Sequence, residues 1–161
     1  MSDTIREIII TDFITRLAVI TTANGYNTNI GGNVLRAQKT VDPEDLPCCV
    51  VWPQPETSLP SYGKNDCTMP IRIEGLAEFG SYNPSAVSEQ ILGDMKKCLF
   101  QPANTSSRSP SGWVRSPDYF DSLTYSGGGT DAYPEEGQKT VGASILVEVG
   151  YTERIGDPYS Q

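Results

Sequence analysis

The chain has 161 residues, a length usually served by one hydrophobic core, and it can bury roughly 70% of its unfolded surface without a disulfide or metal. It is 37% hydrophobic and 20% charged, with a net charge of −8 and a pI near 4.4, which reads as an acidic globular domain rather than a disordered chain. That acidity disfavours a groove for a nucleic-acid backbone, and the absence of histidine removes His-based triads and the commonest general base.

The first predicted element is a helix. Thr4 and Glu7 have capping-box spacing, with Asp3 as a competing cap, and Ile5, Ile8, Ile9, Phe13, Leu17 and Ile20 recur at three- and four-residue steps. Arg6, Asp12 and Arg16 fall off that stripe, and Gly25 suits a left-handed residue closing the helix. Residues 26–38 are weakly patterned, and within them Asn29–Arg36 reads as a strand broken by a bulge at Gly31-Gly32, or as an extended arm. The turn Asp42-Pro43-Glu44-Asp45-Leu46-Pro47 leads into the apolar run Cys48–Trp52, read as a strand buried on both faces, and 53–64 reads as a Pro/Ser-rich loop.

From Cys67 to Phe79 apolar and polar residues alternate, the period of a strand with one face on the core, and Pro70 predicts an edge or bulge. A second helix starts at Asn83-Pro84 and buries Val87, Ile91, Leu92, Met95 and Leu99, with Lys96 and Lys97 near its C-terminal end. Residues 101–118 read as an irregular loop carrying Arg108 and Trp113, and the glycine run after Ser126 as a flexible tip extending to residue 139. The last strand, Thr140–Tyr151, turns Val141, Ala143, Ile145, Val147, Val149 and Tyr151 one way. The expected fold is one α+β domain over 1–161: a mostly antiparallel sheet, two helices packed on it, and long loops near 26–40, 53–64, 101–118 and 126–139.

Few residues suggest chemistry. Asp131, Glu135 and Glu136 form the best carboxylate cluster and the basis of an alternative reading as a metal-assisted hydrolase, but their spacing is not that of a calcium loop. Gly127-Gly128-Gly129-Thr130 lacks the Lys-Ser/Thr of a phosphate loop, and Cys48, Cys49, Cys67 and Cys98 have neither disulfide nor zinc spacing. No cofactor or metal is expected. Met1-Ser2-Asp3-Thr4 lacks the basic start of a secretory leader, and no stretch reaches the roughly 18–20 apolar residues of a membrane span. Loops carrying Trp113, Tyr119, Phe120, Tyr125 and Tyr133 suit contact with further copies of the chain.

The order of these elements resembles the tail-terminator (tail-completion) proteins of long-tailed bacteriophages. The likeness is carried by the opening helix Ile5–Ile20, the turn 42–47 with its apolar strand, the alternating Cys67–Glu74 strand, the helix after Asn83-Pro84, and the ending Val147–Tyr159. The resemblance implies a virion protein at the head–tail junction, made in the host cytoplasm: a homohexameric ring that caps the tail tube, ends its growth and docks on a head–tail connector or adaptor protein. Genomic DNA would pass through its lumen without specific binding, which an acidic lumen favours. Another head–tail joining or minor tail subunit is the alternative. The expected subunit contacts are Asn29, Ile30, Val34, Arg36, Trp113, Tyr125, Asp131 and Tyr133, drawn mainly from the segments 29–36 and 126–136.

Overall fold

The computed structural model describes residues 2–100 and 119–161. Two helices and six strands form an α+β fold: α1 (Ile5–Leu17), β1 (Val34–Arg36), β2 (Cys48–Pro53), β3 (Thr57–Ser61), β4 (Lys64–Glu78), α2 (Pro84–Phe100), β5 (Phe120–Gly129) and β6 (Thr140–Arg154). The sheet order is β1-β2-β4-β6-β5, with β3 paired to the first part of β4. The described pairs are antiparallel except β1 with β2.

Alternation on the two longest strands builds the core. Cys67, Met69, Ile71, Ile73, Gly75 and Ala77 of β4 stand opposite Tyr151, Val149, Val147, Ile145, Ala143 and Val141 of β6, so one face is apolar along its length. Both helices lie on that face, and Ile5, Ile9, Phe13, Leu17, Ile91, Met95 and Leu99 join it in one buried cluster. Gly75 makes room for α2, because a Cβ there would overlap Ile91 and lie 3.0 Å from Ile30.

The helix ends follow the sequence signals in part. Thr4 caps α1 by accepting from the Glu7 N–H at 3.1 Å, and Asn83 caps α2 by accepting from the Ser85 N–H at 2.9 Å. α1 stops at Leu17, eight residues before Gly25; the left-handed Gly25 (φ 84°) instead closes a separate 3₁₀ turn, Thr22–Asn24. Asp12 and Arg16 are buried rather than off the packed stripe. Arg16 Nε donates to the Cys98 carbonyl at 2.9 Å and the Cys98 thiol donates to the Arg16 carbonyl at 3.3 Å, so a reciprocal pair of bonds ties α1 to α2.

Three loop expectations are corrected. Within 53–64, β3 pairs with Lys64–Thr68, and its residues are so exposed that neither hydrophobicity nor alternation marks them as a strand. In 126–139, Gly127, Gly128 and Gly129 pair with Leu146, Ile145 and Ser144 rather than forming a free tip. A Cβ on Gly128 would stand 2.7 Å from the Ser144 carbonyl and 3.0 Å from Leu92, so glycine lets strand and helix approach. The paired glycines of 26–40 lie in a 3₁₀ turn, Ile30–Gly32, before a three-residue β1. A Cβ on Gly31 would overlap the Leu17 carbonyl, because the chain here crosses the end of α1 and Gly31 N–H donates to Ile20 O at 2.9 Å.

Pro70 is not on an edge strand. Its carbonyl accepts from Gln54 N–H at 2.9 Å, so the side that would carry its missing N–H faces the gap between the end of β2 and the start of β3. The Gln54 carbonyl, which a Pro70 N–H would have served, accepts instead from Arg6 at 2.6 Å. Cys48–Val51 are buried from both faces, as their apolar run predicts, while Trp52 is only partly buried.

Candidate functional site

The residues expected to make contacts separate into different environments. Ile30 is not a contact residue: it is fully buried in the core, because the 3₁₀ turn drives it under the sheet end where a free arm would have left it outside. Val34 is half-buried against the same core. Asn29 is exposed, and its side-chain carbonyl accepts from Thr22 N–H at 2.9 Å, holding the 22–29 loop closed. Arg36 forms a two-pronged ion pair with Glu7 at 2.6 and 2.7 Å across the α1–β1 surface. The Arg36 hydrogen bond holds the Glu7 carboxyl below its usual range, and Glu7 in turn raises Arg36.

At the other edge, Tyr125 belongs to β5 rather than to a loop, with its ring edge-on to Phe100 at 6.2 Å and the Lys96 ammonium 4.7 Å over its face. Phe120 likewise opens β5 and joins the core. Tyr133 is exposed, its hydroxyl 3.4 Å from Ser85 Oγ. Trp113 and Arg108 lie outside the described residues.

Asp131 sits over the sheet face opposite the helices. It accepts from Arg72 at 2.9 Å and from Ser144 Oγ at 2.9 Å, and Arg72 also pairs with Glu74. Its carboxylate is thus committed to a surface network with a cation at its centre. Glu135 is engaged through its backbone, its N–H donating to Gln138 Oε1 at 2.8 Å and its carbonyl accepting from Gln138 N–H at 3.0 Å. The group of carboxylate and thiol donors that does converge among the described residues, within 4.8 Å of one another, is Glu56, Cys67 and Glu153. Glu56 Oε2 already accepts from Arg6 at 3.3 Å and from the Tyr151 hydroxyl, so the carboxylate a metal ion would use is already paired with a guanidinium. Burial, with Glu153 and Glu56 nearby, pushes the Cys67 thiol up to about 11. The same burial raises Cys48 and Cys98 to about 11 and Cys49 well above its ordinary value, so all four thiols stay protonated at neutral pH.

One buried carboxylate has an evident structural task. Asp94 on α2 accepts from the N–H groups of Asn27 (3.1 Å) and Thr28 (2.8 Å) and from Thr28 Oγ1 at 2.7 Å, fastening the 26–29 loop to the helix. No sequence pattern pairs these positions, which are 66 and 67 residues apart.

Two surface features stand at opposite ends of β4. At its start the β3–β4 turn projects Tyr62, fully exposed at 106%, with Leu59 (74%) and Ile155 (55%). Tyr62 has φ 47° and Gly63 φ 82°, the paired left-handed conformation of a two-residue hairpin turn. That geometry costs a non-glycine residue about 1–2 kcal/mol and favours Asn, Asp or Gly at Tyr62's position. At the far end a cleft of about 340 Å³ lies between α2 and the 42–47 turn, lined by Pro43, Leu46, Ala77, Glu78, Tyr82 and Val87. No helix among the described residues is long and apolar enough to cross a membrane. No protein-family model matches this chain, and no curated protein matches it.

Proposed function

We propose that this protein is a structural subunit whose work is self-association: a homo-oligomeric ring that caps a phage tail tube, ends its growth and joins it to the head connector. The observation that carries the reading is a complete core beside an unspent apolar surface. The described residues enclose one contiguous apolar cluster, yet Leu59, Tyr62, Tyr82, Tyr133, Ile155 and Tyr159 remain more than half exposed. Scattered single apolar residues need no explanation, but aromatic residues concentrated at projecting turns suit interfaces. The net charge of −8 supports the reading further, because a ring of such subunits has a strongly negative field and lets a polyanion pass without holding it.

The tests are direct. Light scattering on the purified chain is expected to give a discrete oligomer, and negative-stain images a closed ring with six-fold symmetry. In pull-downs the ring is expected to capture both tail-tube protein and connector protein; capture of the connector alone would favour a different head–tail joining subunit. A monodisperse monomer at high concentration, with no binding to either partner, would overturn the proposal.

A further inference from the structure

We infer that residues 155–161, which follow β6, form a strap that opens and closes as one unit and holds the first turn of α1 in place. The strap meets a need of the helix. The first N–H groups of an α-helix have no acceptor within it. In α1 the Thr4 side chain serves the Glu7 N–H, but the Ile5 N–H donates at 2.9 Å to the carbonyl of Pro158, in the segment beyond β6. Ile5 is fully buried, so without that carbonyl its N–H is shut away from solvent with no acceptor.

The same segment fastens other parts of the chain. The Ser160 carbonyl accepts from Arg154 N–H at 2.9 Å and the Gln161 carbonyl from Arg154 Nε at 3.1 Å, while Gln161 Nε2 donates to the Tyr119 carbonyl at 2.6 Å, where the chain enters β5. At the start of the segment Ile155 N–H donates to the Gly63 carbonyl at 3.1 Å. Its shape is set from within. Gly156, at φ 80°, reverses the chain, and the Asp157 carboxylate then accepts from Ser160 Oγ at 2.5 Å and from Tyr159 N–H at 3.2 Å. One turn therefore aims the Pro158 and Ser160 carbonyls together, and losing the turn releases both. Yet no residue of 155–161 is buried. A segment held by hydrogen bonds, with no apolar side chain in the core, opens at lower cost than the sheet does. The seating of α1 thus depends on a strap that can let go while the core stays closed.

Residue-resolved native-state hydrogen exchange on the full chain tests this. Asp157→Ala removes the acceptor that shapes the turn. The Ile5, Arg154 and Ile155 amides are expected to lose protection together, by about ten-fold, the equivalent of about one hydrogen bond, while Ile73 and Ile145 in the centre of the sheet keep theirs. Gly156→Ala attacks the strap by a separate route. Nothing stands within 4 Å of the added Cβ, so the whole effect is strain of a left-handed backbone, and the same three amides should respond. An Ile5 amide that keeps its wild-type protection in both variants overturns the inference, because α1 is then seated without the strap. Equal loss at Ile73 and Ile145 also overturns it, because 155–161 then opens only with the whole fold.

Discussion

β4 and the turn that leads into it hold two kinds of apolar surface within a dozen residues. In its middle Met69, Ile71 and Ile73 are fully shielded between β6, β2 and the helices. Just before its start Tyr62, on the connecting turn, touches nothing that shields it. The middle is apolar because the fold requires it, and substitution there is paid in stability. The tip is apolar although the fold would do better without it, so substitution there should cost association instead. Surface that contributes nothing to a chain's own folding is the surface to examine for partners.

The largest effect is expected in the buried middle of β4. Ile73→Ala is expected to lower unfolding free energy by about 3 kcal/mol in urea titration, the typical cost of truncating a fully buried isoleucine. A loss under 1 kcal/mol would mean that the sheet–helix interface is looser than described. Asp94→Ala should cost about 2 kcal/mol, because it strands the Asn27 and Thr28 N–H groups, and hydrogen exchange should rise first in 26–29.

The half-exposed ion pair lies between the two extremes. The Glu7 pKa is lowered in the folded state by Arg36, so its contribution is present above the unfolded carboxyl value, near 4.5, and disappears as pH falls through the folded value. With both side chains more than a third exposed the effect is small, about 0.5 kcal/mol, and should shrink in salt. Glu7→Gln should flatten the pH dependence of stability below pH 5 by that amount in acid titration. At the tip, Tyr62→Asn should leave folding stability unchanged or raise it by a few tenths of a kcal/mol. A clear loss of stability there would erase the distinction between the two regions. Independently, the native protein should react with a thiol reagent at neutral pH only as fast as it unfolds, since Cys48, Cys49, Cys67 and Cys98 are all buried.

The legibility of the chain follows the same division. Strict alternation in β4 and β6 and the three- and four-residue steps in α1 and α2 record burial against one face, and those elements are readable because burial imposes a period. Where no face is buried, as in β3, the strand leaves no pattern, and its pairing is decided by the two-residue turn that returns the chain. The glycines mislead for a related reason. Gly31 and Gly128 look like freedom in sequence, but each is small because a carbonyl or side chain from a distant element comes close. Of the expected contact residues, Ile30 was lost to the core by the crossing of the chain over α1, a long-range fact with no local signature. The exposed Tyr62 turn lies inside a stretch that reads as loop in the sequence.

What the residues alone determined is the layer architecture, the acidic charge, the helix caps at Thr4 and Asn83 and the inward faces of the two long strands, because each depends on neighbours in the chain or on a repeat of two or about four residues. Tertiary structure alone decided the parallel β1–β2 pair, the strand character of 57–61 and 127–129, the burial of Asp94, and the placing of the exposed Tyr62 turn and the cleft at opposite ends of β4. These depend on segments far apart in sequence meeting in space, and no local period encodes such a meeting.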